Sequence, residues 1–127
     1  MALFLDTSVL IDALCGAGFS SALIAREPLY ISPITVQEIL RGVRGSEEAR
    51  TVHLLEGMIV APLGRAEATL SAGWQRDFAR RGITLSLEDT LIAAGAIFQG
   101  LPLATGNLKD FPMPELRLEE WTVERPS

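Results

Sequence analysis

The sequence predicts an α/β fold, a three-layer α/β/α sandwich with a central, mostly parallel sheet. Short apolar runs rich in β-formers recur along the chain and alternate with helical patterns. The first run, Ala2 to Leu5, ends in Asp6 and turns directly into a helix. That places an acid at the carboxyl edge of an open sheet, where ligands of such sheets bind. The 127 residues, 48% of them hydrophobic, suit a single domain built on one core. Residues 1–127 therefore read as one domain, with about 2–120 as its body and a short C-terminal tail.

After the first strand, Thr7 and Ser8 are suited to cap a helix carrying Val9, Leu10, Ile11 and Leu14. Gly16-Ala17-Gly18 breaks it. Phe19 to Arg26 reads as a second helix, stopped by Pro28, and Leu29 to Ile31 as the second strand. Ser32-Pro33 is a strong helix start, with the cap at Ser32 and proline at the first helical position. That helix carries Ile34, Val36, Ile39, Leu40 and Val43 on or near its buried side, with Glu38 one turn in. Ser46 opens a helix through Glu56, with Val52, Leu54 and Leu55 inward. Met58 to Val60 is the third strand. Arg65 to Arg81 is the clearest amphipathic helix, its apolar residues Ala66, Leu70, Trp74 and Phe78 recurring every four positions. Ser86 opens an alanine-rich helix through Phe98, apolar nearly all round and capped by Gly100. Leu101 to Thr105 is the fourth strand, with Pro102 required at its start or on an edge. Leu108 to Phe111 forms a loop or helical turn, Leu116 to Val123 a last edge strand, and Glu124 to Ser127 a frayed tail.

Composition excludes several classes. Cys15 and His53 are the only cysteine and histidine, so neither an internal disulfide nor a zinc site built on those two residue types is available. No apolar run reaches membrane-span length, no signal peptide is recognisable, and the chain reads as cytoplasmic. The net charge of −5 argues mildly against a broad basic nucleic-acid face. It leaves room for an enzyme whose acids gather around metal ions with arginines at the rim, and ten of the eleven basic residues are arginine.

Asp6 follows the first strand, Glu38 lies in the helix after the second, and Asp89 opens the helix leading to the fourth. Thr105-Gly106-Asn107 with Asp110 follows the fourth strand. In a parallel sheet all four places face the same carboxyl edge. Carboxylates gathered there repel one another unless a cation joins them, and a hard divalent ion with oxygen ligands is the natural partner. Such an ion activates water and clamps a phosphodiester for in-line attack. Each acid also has a structural reading: Asp6 as a helix cap, Asp89 and Glu38 in capping boxes with Ser86 and Thr35, Asp110 as a turn residue. Cleavage through a 2′-hydroxyl calls on a paired general acid and base, often two histidines, and His53 stands alone without a motif. Cys15 reads as a small buried residue.

Four stretches together resemble the successive motifs of PIN domains, and most nearly those of VapC toxins. They are Asp6-Thr7-Ser8-Val9-Leu10-Ile11-Asp12, Ile31-Ser32-Pro33-Ile34-Thr35-Val36-Gln37-Glu38, Leu87-Glu88-Asp89-Thr90-Leu91-Ile92-Ala93-Ala94, and Leu103-Ala104-Thr105-Gly106-Asn107-Leu108-Lys109-Asp110-Phe111. The resemblance implies an endoribonuclease dependent on Mg²⁺ or Mn²⁺ that cleaves structured RNA such as tRNA or rRNA. It also implies a homodimer and a VapB-like antitoxin that blocks the acidic groove. Asp6, Glu38 and Asp89 match the three best-defined acidic positions, with Asp6 and Asp89 as metal ligands. For the fourth, this chain has Asn107 where many PIN domains have an acid, and Asp110 three residues on. Thr7, Ser8 and Thr105 bring hydroxyls to the site. Arg41, Arg44 and Lys109 follow the acidic motifs and are candidates for the RNA backbone.

Two other readings compete. A phosphoryl-transfer enzyme of the haloacid dehalogenase type also uses an aspartate after its first strand, but its second acid falls at Ser8 here. A catalytically inactive PIN scaffold that binds metal or RNA keeps the acids without the reaction.

Overall fold

The first strand, β1 (Leu3–Leu5), is fully buried, and its alternation decides the layering. Phe4 points to one side of the sheet, into a core with Trp74, Phe78, Ile92 and Leu103. Leu3 and Leu5 point to the other, among Val9, Leu10, Leu29, Ile31 and Leu55. A strand apolar at every position is what a sheet covered on both faces demands. The computed structural model describes residues 1–16 and 18–121, so Ala17 and the expected tail at Glu124 to Ser127 lie outside the described residues.

The remaining elements, in chain order, are α1 (Thr7–Cys15), α2 (Ser21–Ile24), β2 (Leu29–Ile31), α3 (Pro33–Gly42), α4 (Glu48–Glu56), β3 (Ile59–Val60), α5 (Arg65–Ala79), α6 (Leu87–Gln99), β4 (Leu103–Thr105) and β5 (Leu118–Glu120). Short 3₁₀ turns occupy Gly45–Glu47 and Leu108–Asp110. The sheet order is β3-β2-β1-β4-β5, and every pairing is parallel. The chain winds outward from β1 in one direction and from β4 in the other. The boundary between β1 and β4 is therefore the topological switch point, where such sheets open a crevice for ligands. Leu5 pairs with Ala104, so the residues that follow, Asp6 and Thr105, emerge side by side into that crevice.

Helix α6 lies close on the sheet. A Cβ at Gly95 would stand 2.9 Å from the ring of Phe4, so no larger side chain fits without displacing that ring. Gly100 ends the helix in the left-handed conformation at φ 67°. Pro102 sits just ahead of β4 and contributes only its carbonyl, which accepts from the Phe4 N–H at 3.1 Å.

Several expectations shift in register. In α5 the buried positions are Glu67, Ser71, Trp74 and Phe78, while Ala66 is exposed and Leu70 half-buried. A strict four-residue step overshoots the helical repeat, so a stripe drawn that way drifts off the buried face. In α3 it is Thr35 and Ile39 that are buried, and Leu40 is exposed. In α4, Thr51 and Leu55 point inward and Val52 outward. Helix α6 is one-sided rather than central all round, since Leu87 and Phe98 are exposed. Strands β3, β4 and β5 and helix α2 are each shorter than the runs that predicted them. Val123, expected in the last strand, lies outside the described residues.

Candidate active site

Asp6 occupies the N-cap position of α1, yet its side chain makes no capping bond. It turns instead toward β4. Its Oδ2 accepts from Ser8 Oγ at 2.9 Å and from Thr105 Oγ1 at 2.8 Å. Those hydroxyls are themselves held: Thr105 Oγ1 accepts from the Asn107 N–H at 3.0 Å, and Ser8 Oγ from the Gly106 N–H at 3.4 Å. The capping account of Asp6 fails, and a buried carboxylate locked by two hydroxyls replaces it. The carboxyl is 5% exposed, and burial pushes its pKa above the ordinary value despite both bonds and an N–H from Thr7, with the Asp110 charge adding a little.

Glu38 reaches the same space from α3. Ser32 caps that helix, accepting from the Ile34 N–H at 3.0 Å, so Thr35 is not needed as a cap. Thr7 Oγ1 donates to Glu38 Oε1 at 2.8 Å and lies 2.9 Å from Thr35 Oγ1. Asp89 stands in the first turn of α6, where its N–H donates to the Ser86 cap at 3.0 Å. Its structural and site roles coexist, because the cap bond uses the backbone and fixes where the carboxyl projects. Burial lifts the Asp89 carboxyl to about 6, and the charges of Asp6, Asp110 and Glu38 add to the rise while the Ser86 bond opposes it. Asp110 lies exposed on the Leu108–Asp110 turn.

These groups share one cavity of about 280 Å³, lined by Asp6, Thr7, Ser8, Ile11, Glu38, Arg41, Asp89, Ile92, Asn107 and Asp110. All four acids singled out from the sequence are present. So are Asn107 and one of the three basic residues, Arg41. Arg44 and Lys109 are exposed and do not line it, and neither does His53. Thr105 lies behind Asp6 rather than at the cavity wall. Thr35, read from the sequence only as a capping-box partner of Glu38, is wholly buried. Its signal was present: a hydroxyl three residues before Glu38 shares a helix side with it.

Among the described residues no three Asp, Glu, His or Cys side chains converge tightly enough to enclose one ion between them. The donor set is nonetheless all oxygen, and the charges of Asp6, Asp110 and Glu38 add to the rise at Asp89. That suits a hard divalent cation that keeps several waters and takes only one or two carboxylates directly. Asp6 and Asp89 are the two carboxylates of the cavity whose pKa burial raises. Ser8, at the position a dehalogenase-type general acid requires, serves as a donor to Asp6 instead.

A sheet switch point carrying an all-oxygen acidic cavity defines a class, and the family model of the PIN domain matches residues 3–112. The chain belongs to the PIN-domain family. It is 32% identical to the Ribonuclease VapC of Rickettsia bellii, an alignment covering 93% of this chain and 95% of that one. It is 31% identical to the tRNA(fMet)-specific endonuclease VapC of Salmonella typhimurium over 73% of this chain and 75% of the relative. A toxin–antitoxin complex from Klebsiella pneumoniae contains a chain of the same fold, with TM-score 0.74 and 32% identity over 91% of this chain and 95% of that one.

Proposed function

We propose that this chain is an endoribonuclease toxin of a toxin–antitoxin pair, dependent on Mg²⁺ or Mn²⁺, that cuts structured cellular RNA such as tRNA or rRNA. The observation that carries the reading is the meeting of Asp6, Glu38, Asp89 and Asp110 around one cavity, with Asp89 raised to about 6 chiefly by burial. A fold does not hold such groups together at a switch point without a cation to neutralise them. Relatives named as VapC ribonucleases, one of them specific for a tRNA, support the substrate class.

Asp6 and Asp89 would hold the ion, which supplies Lewis-acid polarisation of the phosphodiester and activation of a water. Ser8 and Thr105 keep the Asp6 carboxylate in one orientation, because both donate to the same oxygen. Thr7 holds Glu38 toward the cavity, where it can accept a proton from an attacking water. Asn107 and Asp110 close the far side, and Arg41 offers the cavity's cationic group to a phosphate. Hydrolysis of this kind leaves a 5′-phosphate and a 3′-hydroxyl. The partners that complete the proposal are a VapB-like antitoxin covering the acidic cavity, the RNA substrate, and a second copy of the chain. A cytoplasmic location belongs to the same reading. Among the described residues no helix is long and apolar enough to cross a membrane.

The test is cleavage of total tRNA and rRNA by antitoxin-free protein with Mg²⁺ or Mn²⁺ against EDTA, beside Asp6→Asn, with end-group analysis. Metal-dependent cuts leaving 5′-phosphates, lost in the variant, support the proposal. Metal binding without cleavage of any RNA favours the inactive scaffold.

A further inference from the structure

Two hydroxyls of different elements meet behind Glu38, and their protons can be counted. Thr7 Oγ1 lies 2.8 Å from Glu38 Oε1 and 2.9 Å from Thr35 Oγ1. A threonine hydroxyl has one proton and two lone pairs, whereas an ionised carboxylate only accepts. Thr7 must therefore spend its proton on Glu38. The contact between the two threonines is left with one possible direction: Thr35 donates and Thr7 accepts. Thr35 is 0% exposed, so its hydroxyl has no water to turn to, and a buried hydroxyl left unpaired is costly. It stands on α3 in the same helix as Glu38, while Thr7 opens α1 directly after Asp6.

We propose that Thr35 is a positioning residue for the acidic site: through Thr7 it fixes the side chain of Glu38 in its cavity-facing conformation. The directed chain is Thr35 O–H to Thr7 Oγ1, then Thr7 O–H to Glu38 Oε1. A hydroxyl whose lone pair is already engaged cannot rotate its proton freely, so Thr7 presents it toward Glu38 alone. The chain also ties the start of α1, which carries Asp6, to the middle of α3, which carries Glu38. Two acids from different elements are thereby held at a set separation. Thr35 touches neither substrate nor metal in this account and acts only through Thr7. The functional half of the inference rests on the metal-nuclease reading, but the positioning half does not.

The experiment uses the full chain without added metal. Side-chain scalar couplings measured by NMR report whether Glu38 occupies one rotamer or averages over several. Parent protein and Thr35→Ser, which keeps the hydroxyl, should show a single Glu38 rotamer. Thr35→Val, of similar volume but without the donor, should show averaging. Thr35→Ala takes its place if Thr35→Val does not fold. In parallel, Mn²⁺ affinity by calorimetry should fall about 5–10-fold in the hydroxyl-less variant and stay within about twofold in Thr35→Ser, in line with the usual cost of a supporting hydrogen bond behind a metal site. In a Glu38→Ala background the same Thr35 substitution should change Mn²⁺ affinity by less than about twofold, since residues acting through one path are non-additive. A single Glu38 rotamer in the hydroxyl-less variant, or averaging already in the parent, overturns the proposal whatever the metal does. So does a Thr35→Ser protein as averaged as Thr35→Val. Absence of Mn²⁺ binding by the parent would instead remove the nuclease reading and leave the rotamer result to decide the positioning.

Discussion

Asp6 and Glu38 make one half of the acid set around the cavity, Asp89 and Asp110 the other, and the two halves are held by different means. In the first, both carboxylates accept from side-chain hydroxyls: Ser8 and Thr105 on Asp6, Thr7 on Glu38. Those hydroxyls come from α1 and β4, two elements joined through the sheet. In the second half, Asp89 projects from a capped helix start and Asp110 from an exposed 3₁₀ turn. The first half is preorganised by bonds from neighbouring elements; in the second, Asp89 is part-buried at its helix start and Asp110 alone stays adjustable at the rim. Under the proposed function, a site that receives a hydrated ion and then a bulky polyanion would use both properties.

The largest test of that contrast is Asp6→Asn. The amide oxygen can still accept from Ser8 and Thr105, so the fold is expected to survive while one negative charge is lost. RNA cleavage should drop by more than about 100-fold, since removing a direct ligand exceeds the usual 10–100-fold cost of an outer-shell partner. Thermal stability of the metal-free protein should hold or rise, because a buried charge disfavoured by desolvation is gone. A large loss of Tm together with activity would place Asp6 among the structural residues. Next in size come Ser8→Ala and Thr105→Val, each of which removes one donor from Asp6 Oδ2. About 10–100-fold in cleavage is expected from either, read as reduced Mn²⁺ affinity in calorimetry. Equal activity to the parent would show that one hydroxyl suffices.

The half that is rigid was also the half more fully written in the sequence. Asp6 directly after an apolar run, and Thr105 ending another, announce a sheet edge without reference to tertiary contacts. Parallel pairing of β1 with β4 then does the rest. What sequence alone did not separate was cap from ligand. At Asp6 the N-cap position is filled but the side chain turns away, because two buried hydroxyls across the strand ends outcompete the helix N–H groups. At Asp89 the cap bond is real and runs through the backbone, while the carboxyl, itself hydrogen-bonded to Ser86, lines the cavity. Thr35 was read only as a cap because its partner, Thr7, is 28 residues away, and local spacing carries no information about that meeting. The basic candidates separate for a related reason. Arg41, three residues after Glu38, reaches the cavity, whereas Arg44 lies beyond the end of α3, where the change of backbone direction at Val43 carries it away. A four-residue stripe misplaced Ala66 through drift while Leu70 stayed packed at the edge of the core, and Cys15, expected to be buried, is exposed at the end of α1.

The adjustable acid predicts a smaller effect. Asp110→Asn should lower cleavage by about 10-fold or less, since an exposed carboxylate on a turn contributes charge across solvent rather than a fixed bond. The loss should shrink further at high ionic strength once Mn²⁺ is saturating. A loss as large as that of Asp6→Asn would make Asp110 a direct ligand and end the contrast between the halves.

The last effect is measured in degrees rather than in orders of magnitude. Asp89 has an ordinary value of 3.8 and stands at about 6 in the fold. Between those values the folded protein binds more protons than the unfolded chain, so metal-free stability falls as pH rises from about 4 to about 6 and levels off above. Asp6, also raised by burial, acts in the same sense. Asp89 remains partly open to solvent, so the cost at neutral pH is discounted to roughly 1 kcal/mol, or about 4 °C in Tm. Asp89→Asn should flatten the profile and gain that increment at pH 7 without metal. A divalent ion binds only the deprotonated carboxyl, so the Tm increase on adding Mn²⁺ should be larger well above pH 6 than below it, and Asp89→Asn should abolish most of that difference. If metal-free stability instead rises across this window, the carboxylates are paired with cations in the fold, and the electrostatic case for an ion at the switch point fails with them.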